Sequence, residues 1–417
     1  NAFGIYNEGH ENITTLSGSI ETDGGGTIGI YNLGNHNETT VSGTGSIETH
    51  IGGAPGIRNE GNDNTTTLSG SIMTDGGGNT GIYNVGDDNE TTVSGTGSIK
   101  TVEGGGIGIY NVGDDNTTTL SGSIMTGEGG AIGIYNVGND NETTVSGTGS
   151  IETHTGGAQG IYNEGHENIT TLSGSIMTDG GGNAGIYNVG DDNETTVLGT
   201  GSIETVGGGA YGIYNEGNDN TTTLSGSIMT GEGGVVGIYN VGDDNETTVS
   251  GTGSIKTVGD GAIGIYNVGD DNTTTLFGSI TTGDVVANTG AGAHGILNLG
   301  DLNETIVSGS IKTTEVFAHG ISQEGNTNTT TISGTVSTTG IDANALYNSS
   351  GSGNSFTLDE GAVIIGDITA LAAATNNKLK FNLGEDVSYA FTVGGGGRGT
   401  GAGQWTFTDQ DGRTPIA

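Results

Sequence analysis

Apolar residues in this chain are sparse, but they fall with period two. In Asn64-Thr65-Thr66-Thr67-Leu68-Ser69-Gly70 the one large apolar side chain is Leu68, which must face inward. Asn64 and Thr66 then share its face, and Thr65, Thr67 and Ser69 point out, because alternate residues of a strand face opposite sides. The same rule sends Ile82 and Ile72 in, and Tyr83 and Met73 out. Such segments are short and are separated by Gly, Asn and Asp, the residues of tight turns. Their period is two, not the 3.6 of a helix.

These strands belong to a repeat. Gly-Ile-Tyr-Asn recurs at Gly4, Gly29, Gly81, Gly108, Gly133, Gly160, Gly185, Gly212, Gly237 and Gly264, with Gly-Ile-Arg-Asn at Gly56. The spacing alternates between 25 and 27 residues, the longer unit carrying the extra Thr-Gly of Ser42-Gly43-Thr44-Gly45-Ser46-Ile47. After Gly264 one unit stretches, and the pattern resumes at Gly295, Gly320 and, in degenerate form, Ala345. Three short strands per unit predict an all-β fold, a right-handed parallel β-helix of about fourteen coils. Glycines would supply positive φ at its corners. Each coil would stack its Ile, Leu or Val on the next, and the inward Asn7, Asn32, Asn59 and Asn84 would form an amide ladder. The expected division is a repetitive solenoid over 1–354 and a β-rich cap over 355–417.

Composition narrows the possible functions. Of 417 residues 88 are Gly, 2 are Pro and none is Cys, and 48 Asp+Glu against 8 Lys+Arg give a formal charge of -40. The absence of cysteine removes disulfides, thiolate metal sites and thiol nucleophiles. The charge excludes nucleic acid and anionic membranes as expected partners and favours cations. No apolar run is long enough for a membrane span. The chain opens on Asn1 rather than Met, as a processed or excised piece would.

The repeat also sets out the candidate chemistry. Outward tyrosines predict a stripe of Tyr6, Tyr31, Tyr83, Tyr110, Tyr135, Tyr162, Tyr187, Tyr214, Tyr239 and Tyr266, suited to lateral packing, glycan contact or simple shielding of the sheet. Arg58 interrupts the stripe and is expected to stack on Tyr31 and Tyr83. Acidic pairs fall at the turns: Asp87 and Asp88, Asp114 and Asp115, Asp191 and Asp192, Asp243 and Asp244, Asp270 and Asp271. Unit charges ~4.8 Å apart repel by about 0.9 kcal/mol even in bulk water. Calcium is therefore the one cofactor considered, with solvated acidic turns as the competing reading. The Asn-x-Thr sequons at Asn12, Asn64 and Asn116 place their Asn inward, against glycosylation. Catalysis finds little support, because the acidic residues recur equivalently instead of forming a cluster of unlike groups. The expanded segment from Thr282 to His294 is where a unique site would be sought.

From about Ser355 the texture changes to denser apolar strands. The run Gly361-Ala362-Val363-Ile364-Ile365-Gly366-Asp367-Ile368, then Asn376-Asn377-Lys378-Leu379, then the strand with Trp405, resembles the end of a bacterial autotransporter passenger. The resemblance implies export through the outer membrane to the cell surface or medium. It also implies a C-terminal folding nucleus and, with no protease or esterase signature, a non-enzymatic adhesin or structural role. The expected function is surface attachment, aggregation or biofilm matrix. Association would run head-to-tail through Ala2, Phe3 and Ile5 at one end and Phe391, Trp405 and Phe407 at the other. A monomeric calcium-dependent or glycan-binding adhesin is the alternative.

Overall fold

The computed structural model describes residues 2–50, 52–127, 129–154, 156–231, 233, 235–283, 292–382, 393–394 and 405–409. It is a parallel β-solenoid of about fifteen turns, and no helix occurs among the described residues. The chain forms two compact units, 1–215 and 216–417.

Each of the first fourteen coils contributes one strand to each of three parallel sheets. In unit 1, for example, Thr80–Val85 is followed by Glu90–Val93 and Ser98–Thr101. Each strand pairs in register with its equivalent one coil on: Ile82 with Ile109, Thr91 with Thr118, Ile99 with Ile124. Unit 2 repeats the arrangement, pairing Ile238 with Ile265, Thr247 with Thr274 and Ile255 with Ile280. Identical residues therefore stack on identical residues. The apolar core is a set of columns: Ile82, Ile109 and Ile134 from the first sheet, Leu68, Val93 and Leu120 from the second, Ile72, Ile99 and Ile124 from the third, all buried. Burying such a side chain contributes roughly 1.5–3 kcal/mol, which is how so lean a composition suffices.

Polar ladders fill the remaining interior. Asn84 Nδ2 donates to Asn111 Oδ1 at 2.8 Å and to Thr91 Oγ1 at 3.0 Å, and Asn111 Nδ2 donates to Asn136 Oδ1 at 2.8 Å. The ladder expected from Asn7, Asn32, Asn59 and Asn84 is present, at 2.7 Å for each step. A second ladder runs through the sequon asparagines. Asn64 Nδ2 donates to Gly61 O, and its Oδ1 accepts the Asn37 backbone N–H. Asn64 and Asn116 are fully buried and Asn12 partly so. The Asn64 amide is thus engaged on both sides, and burial keeps both Asn64 and Asn116 from solvent in the folded chain.

The coil plan continues past Ser355 with larger residues. Ser355–Asp359 pairs on Thr329–Ile332 and Asn377–Asn382 pairs on Ser355–Asp359, burying Phe356, Leu358 and Leu379. The strand Trp405–Asp409 pairs with Asn377–Asn382.

Candidate functional surface

Strand alternation turns the tyrosine of each Gly-Ile-Tyr-Asn outward, and register stacks the rings. In unit 1, Tyr83, Tyr110, Tyr135, Tyr162, Tyr187 and Tyr214 form a continuous column with centroids 4.6–5.0 Å apart and planes within 9° of parallel. In unit 2, Tyr239 and Tyr266 stack at 4.8 Å. Leu297 and Ser322 then take the tyrosine position, and Tyr347 restores it. The Arg58 guanidinium lies 5.7 Å from the Tyr31 centroid and 5.1 Å from that of Tyr83, as a cation over both rings, and is ion-paired with Glu60. Beyond it the column loosens: Tyr6 meets Tyr31 at 45°, and Phe3 stacks on Tyr6 at 5.1 Å.

Some phenols are held by carboxylates from the neighbouring coil. Tyr31 Oη donates to Glu60 at 2.6 Å and Tyr135 Oη to Glu164 at 2.5 Å. Burial, then the Glu60 hydrogen bond, pushes the Tyr31 phenol up to about 12. Burial and Glu164 raise Tyr135 in the same way.

The acidic turns have a backbone function. In four of the five pairs the first residue caps the next coil: Asp114 N–H donates to Asp87 Oδ1, Asn139 N–H to Asp114 Oδ1, Asp270 N–H to Asp243 Oδ1 and Asp301 N–H to Asp270 Oδ1. Histidine does the same, His166 Nδ1 accepting from Asp191 N–H at 3.0 Å. The second residue sits in the left-handed region, with φ between 56° and 59° at Asp88, Asp115, Asp192, Asp244 and Asp271. Aspartate is among the few non-glycine residues that tolerate this conformation. Both acidic positions thus serve the turn. Crowding is felt all the same: desolvation, then the charges of Asp140, Asp88, Asp114 and Asp87, raises the Asp115 carboxyl.

Two clusters bring together titratable groups from adjoining coils. Among the described residues, Glu21, Asp23 and His50 form the one group of three or more His, Asp or Glu residues whose donor atoms all lie within 4.8 Å of one another. It is assembled across adjacent coils by the Glu21–Glu48 and Thr22–Thr49 register. Glu48 and Asp75 also approach His50, at 3.5 and 4.0 Å. The second cluster stacks His294, His319 and Tyr347, with centroids 5.1 and 3.9 Å apart. His294 Nδ1 accepts the His319 backbone N–H at 3.1 Å, and His319 Nδ1 accepts that of Asn344 at 3.0 Å. Burial lowers His294 to about 4; burial and the charge of His294 lower His319 to about 3. His-Gly at 294 and 319, one coil apart, is the signal in the sequence that could have found it. Within the expanded segment, Thr282 is buried and donates to Ala293 O, while 284–291 lie outside the described residues.

Of the residues assigned to the two ends, Ala2 and Phe3 are exposed and Ile5 is half-buried in the strand Phe3–Glu8. Trp405 and Phe407 lie in a strand paired with Asn377 and Leu379, and Phe391 lies outside the described residues. No family model and no curated protein matches the chain.

Proposed function

We propose that this protein is a non-enzymatic extracellular structural or adhesive element. It would be exported in the manner of an autotransporter passenger and would associate with copies of itself. The observation that carries this reading is register: coil after coil sets tyrosine on tyrosine and threonine on threonine. Repetition of one chemistry at coil spacing suits many weak simultaneous contacts, whose combined strength exceeds that of any single one. A right-handed winding is the sense expected where crossovers join parallel strands.

Within this reading, self-association ranks above glycan binding. A sugar stacks on the face of an aromatic ring, but the tyrosine faces of unit 1 are covered by one another at 4.6–5.0 Å. Edges and hydroxyls are what remain. Head-to-tail contact of Ala2, Phe3 and Ile5 with Phe391, Trp405 and Phe407 of another copy is the proposed mode, since heterologous contacts of this kind propagate.

Electron microscopy of the untagged protein as secreted by its native cells tests the proposal. Filaments with a regular axial repeat are expected. Isolated particles at all concentrations would overturn self-association and leave a monomeric adhesin.

A further inference from the structure

We propose that Glu21, Asp23 and His50 form a binding site for a divalent cation of the zinc class, with Glu48 as a further ligand. The site requires neither export nor self-association, because all its residues lie in the first three coils of one chain.

Register builds the site. Thr22 pairs with Thr49, and Thr49 with Thr74, and all three threonines are buried. Alternation then turns Glu21, Asp23, Glu48, His50 and Asp75 outward onto one patch of the third sheet. Glu21 and Glu48 stand in one column. Asp23, His50 and Asp75, each following a paired threonine, stand in the next.

The spacing of the donor atoms is that of ligands around an ion. One donor atom each from Glu21, Asp23 and His50 lies within 4.8 Å of the other two. His50 Nε2 is 3.7 Å from Glu21 Oε1 and 3.5 Å from Glu48 Oε1. Both gaps exceed the usual length of an N–H···O hydrogen bond. They suit two ligands of one metal: at ~2.1 Å from zinc and a tetrahedral angle, donor atoms stand about 3.4 Å apart. Glu21 and Asp23 are exposed, and a small rotation of each closes the remaining gap. On the far side of the ring, Asp75 Oδ2 faces Nδ1 at 4.0 Å. A carboxylate in that position orients a metal-bound imidazole and keeps its proton on Nδ1.

The donor set selects the ion. Four carboxylates surround one imidazole, so the patch attracts cations. Calcium takes oxygen ligands and gains nothing from the nitrogen, whereas zinc accepts nitrogen and oxygen together. A second histidine in the same chain provides the contrast. His154 Nε2 lies 3.2 Å from Glu152 Oε1, and His154 pairs with Asp179, as His50 does with Asp75. In the coil before it, however, Met125 is in register with Glu152, where Glu21 is in register with Glu48. Gly127 then takes the place of Asp23. Two of the three converging donors are gone, so a histidine beside carboxylates occurs twice and a full site once.

The test is titration of the whole chain with zinc chloride by isothermal calorimetry, at neutral pH and physiological salt, after metal has been stripped by dialysis. One site per chain is expected above any weaker background. His50→Gln should weaken it about tenfold or more and Glu21→Gln several-fold, while His154→Gln leaves it unchanged. A large excess of calcium should not displace the zinc. All the ligands face outward, so the fold stands without the ion and tolerates these substitutions, which circular dichroism verifies. The assignment would be overturned by the lack of a one-to-one site, by equal losses from His50→Gln and His154→Gln, by binding that survives His50→Gln, or by displacement with calcium.

Discussion

The Asp87 carboxylate accepts the backbone N–H of Asp114, its equivalent one coil on, at 3.1 Å. The carboxylates expected from the sequence as candidate cation ligands thus also serve as backbone caps. The two roles make opposite predictions. If capping is what the carboxylate does, Asp87→Asn keeps an acceptor, relieves repulsion from Asp88 and leaves the melting temperature unchanged or higher. Asp87→Ala loses the cap and costs about 0.5–1.5 kcal/mol. A chelator should leave the melting curve of the native protein where it was. A sharp fall on chelation, with Asp87→Asn as harmful as Asp87→Ala, would place calcium at these turns.

The imidazole column gives the protein an acid limit. His294 and His319 must be neutral at Nδ1 to accept the N–H of the following coil. Burial holds them near 4 and 3, below the ordinary 6.5. The folded state therefore binds fewer protons than the unfolded chain across that interval. Their contribution is full above about pH 6.5 and is lost as pH falls from there through 4 for His294 and 3 for His319, on the order of 3–5 kcal/mol per group. Tyr347 stacks on His319, and burial, then the charge of Glu324, raises that phenol. Glu315 is buried in the coil of His319. Urea denaturation at pH 7, 5.5 and 4 should show His319→Gln with a shallower pH slope than the native chain. An unchanged slope would refute the assignment.

The asparagine ladder predicts a different kind of loss. Asn136 accepts from Asn111 and donates to Asn163 and Thr143, all buried. Asn136→Ala strands a donor on one side and acceptors on the other, at a cost of about 1–3 kcal/mol for each buried group left unpaired. Asn136→Asp should be worse, because it faces the Asn163 carbonyl oxygen with a second acceptor and buries a charge. Urea midpoints of the two variants give the order directly; equal midpoints would mean that the ladder adapts.

What the sequence revealed follows from where the information lies. Inward Leu68, Ile72 and Ile82, outward Tyr83 and the Arg58 sandwich were all legible, since period-two alternation and one repeat spacing decide them. The capping role of the acidic pairs was not legible, because it depends on a backbone N–H 27 residues from Asp87 that no local motif marks. His50 and His319 read as scattered histidines along the chain. Each gains its neighbours, Glu21 in one case and Tyr347 in the other, from adjoining coils. Columns become visible only when the repeats are written one beneath another.

The glycine of Gly-Ile-Tyr-Asn is the clearest case of a role that turn chemistry does not explain. At Gly133 the backbone is ordinary strand, yet an added Cβ would lie 2.3 Å from Ile151 Cγ2 and 2.4 Å from the Gly160 carbonyl oxygen. The obstacle is the next coil's backbone, which cannot move without breaking its own pairing. One coil does carry alanine here, Ala345, and there the register with the following strand shifts between Asn344 and Leu346. Regular coils on both sides of Gly133 leave no room for such a shift. Gly133→Ala should therefore cost about 3 kcal/mol, the upper part of the range for overpacked sites. Gly43, where an added Cβ would have nothing within 4 Å, is the control: Gly43→Ala should stay within about 0.5 kcal/mol of the native chain. Thermal melts of the two variants side by side decide the matter. If both melt with the native protein, coil spacing is looser than register implies, and the stacked columns lose their claim to be rigid.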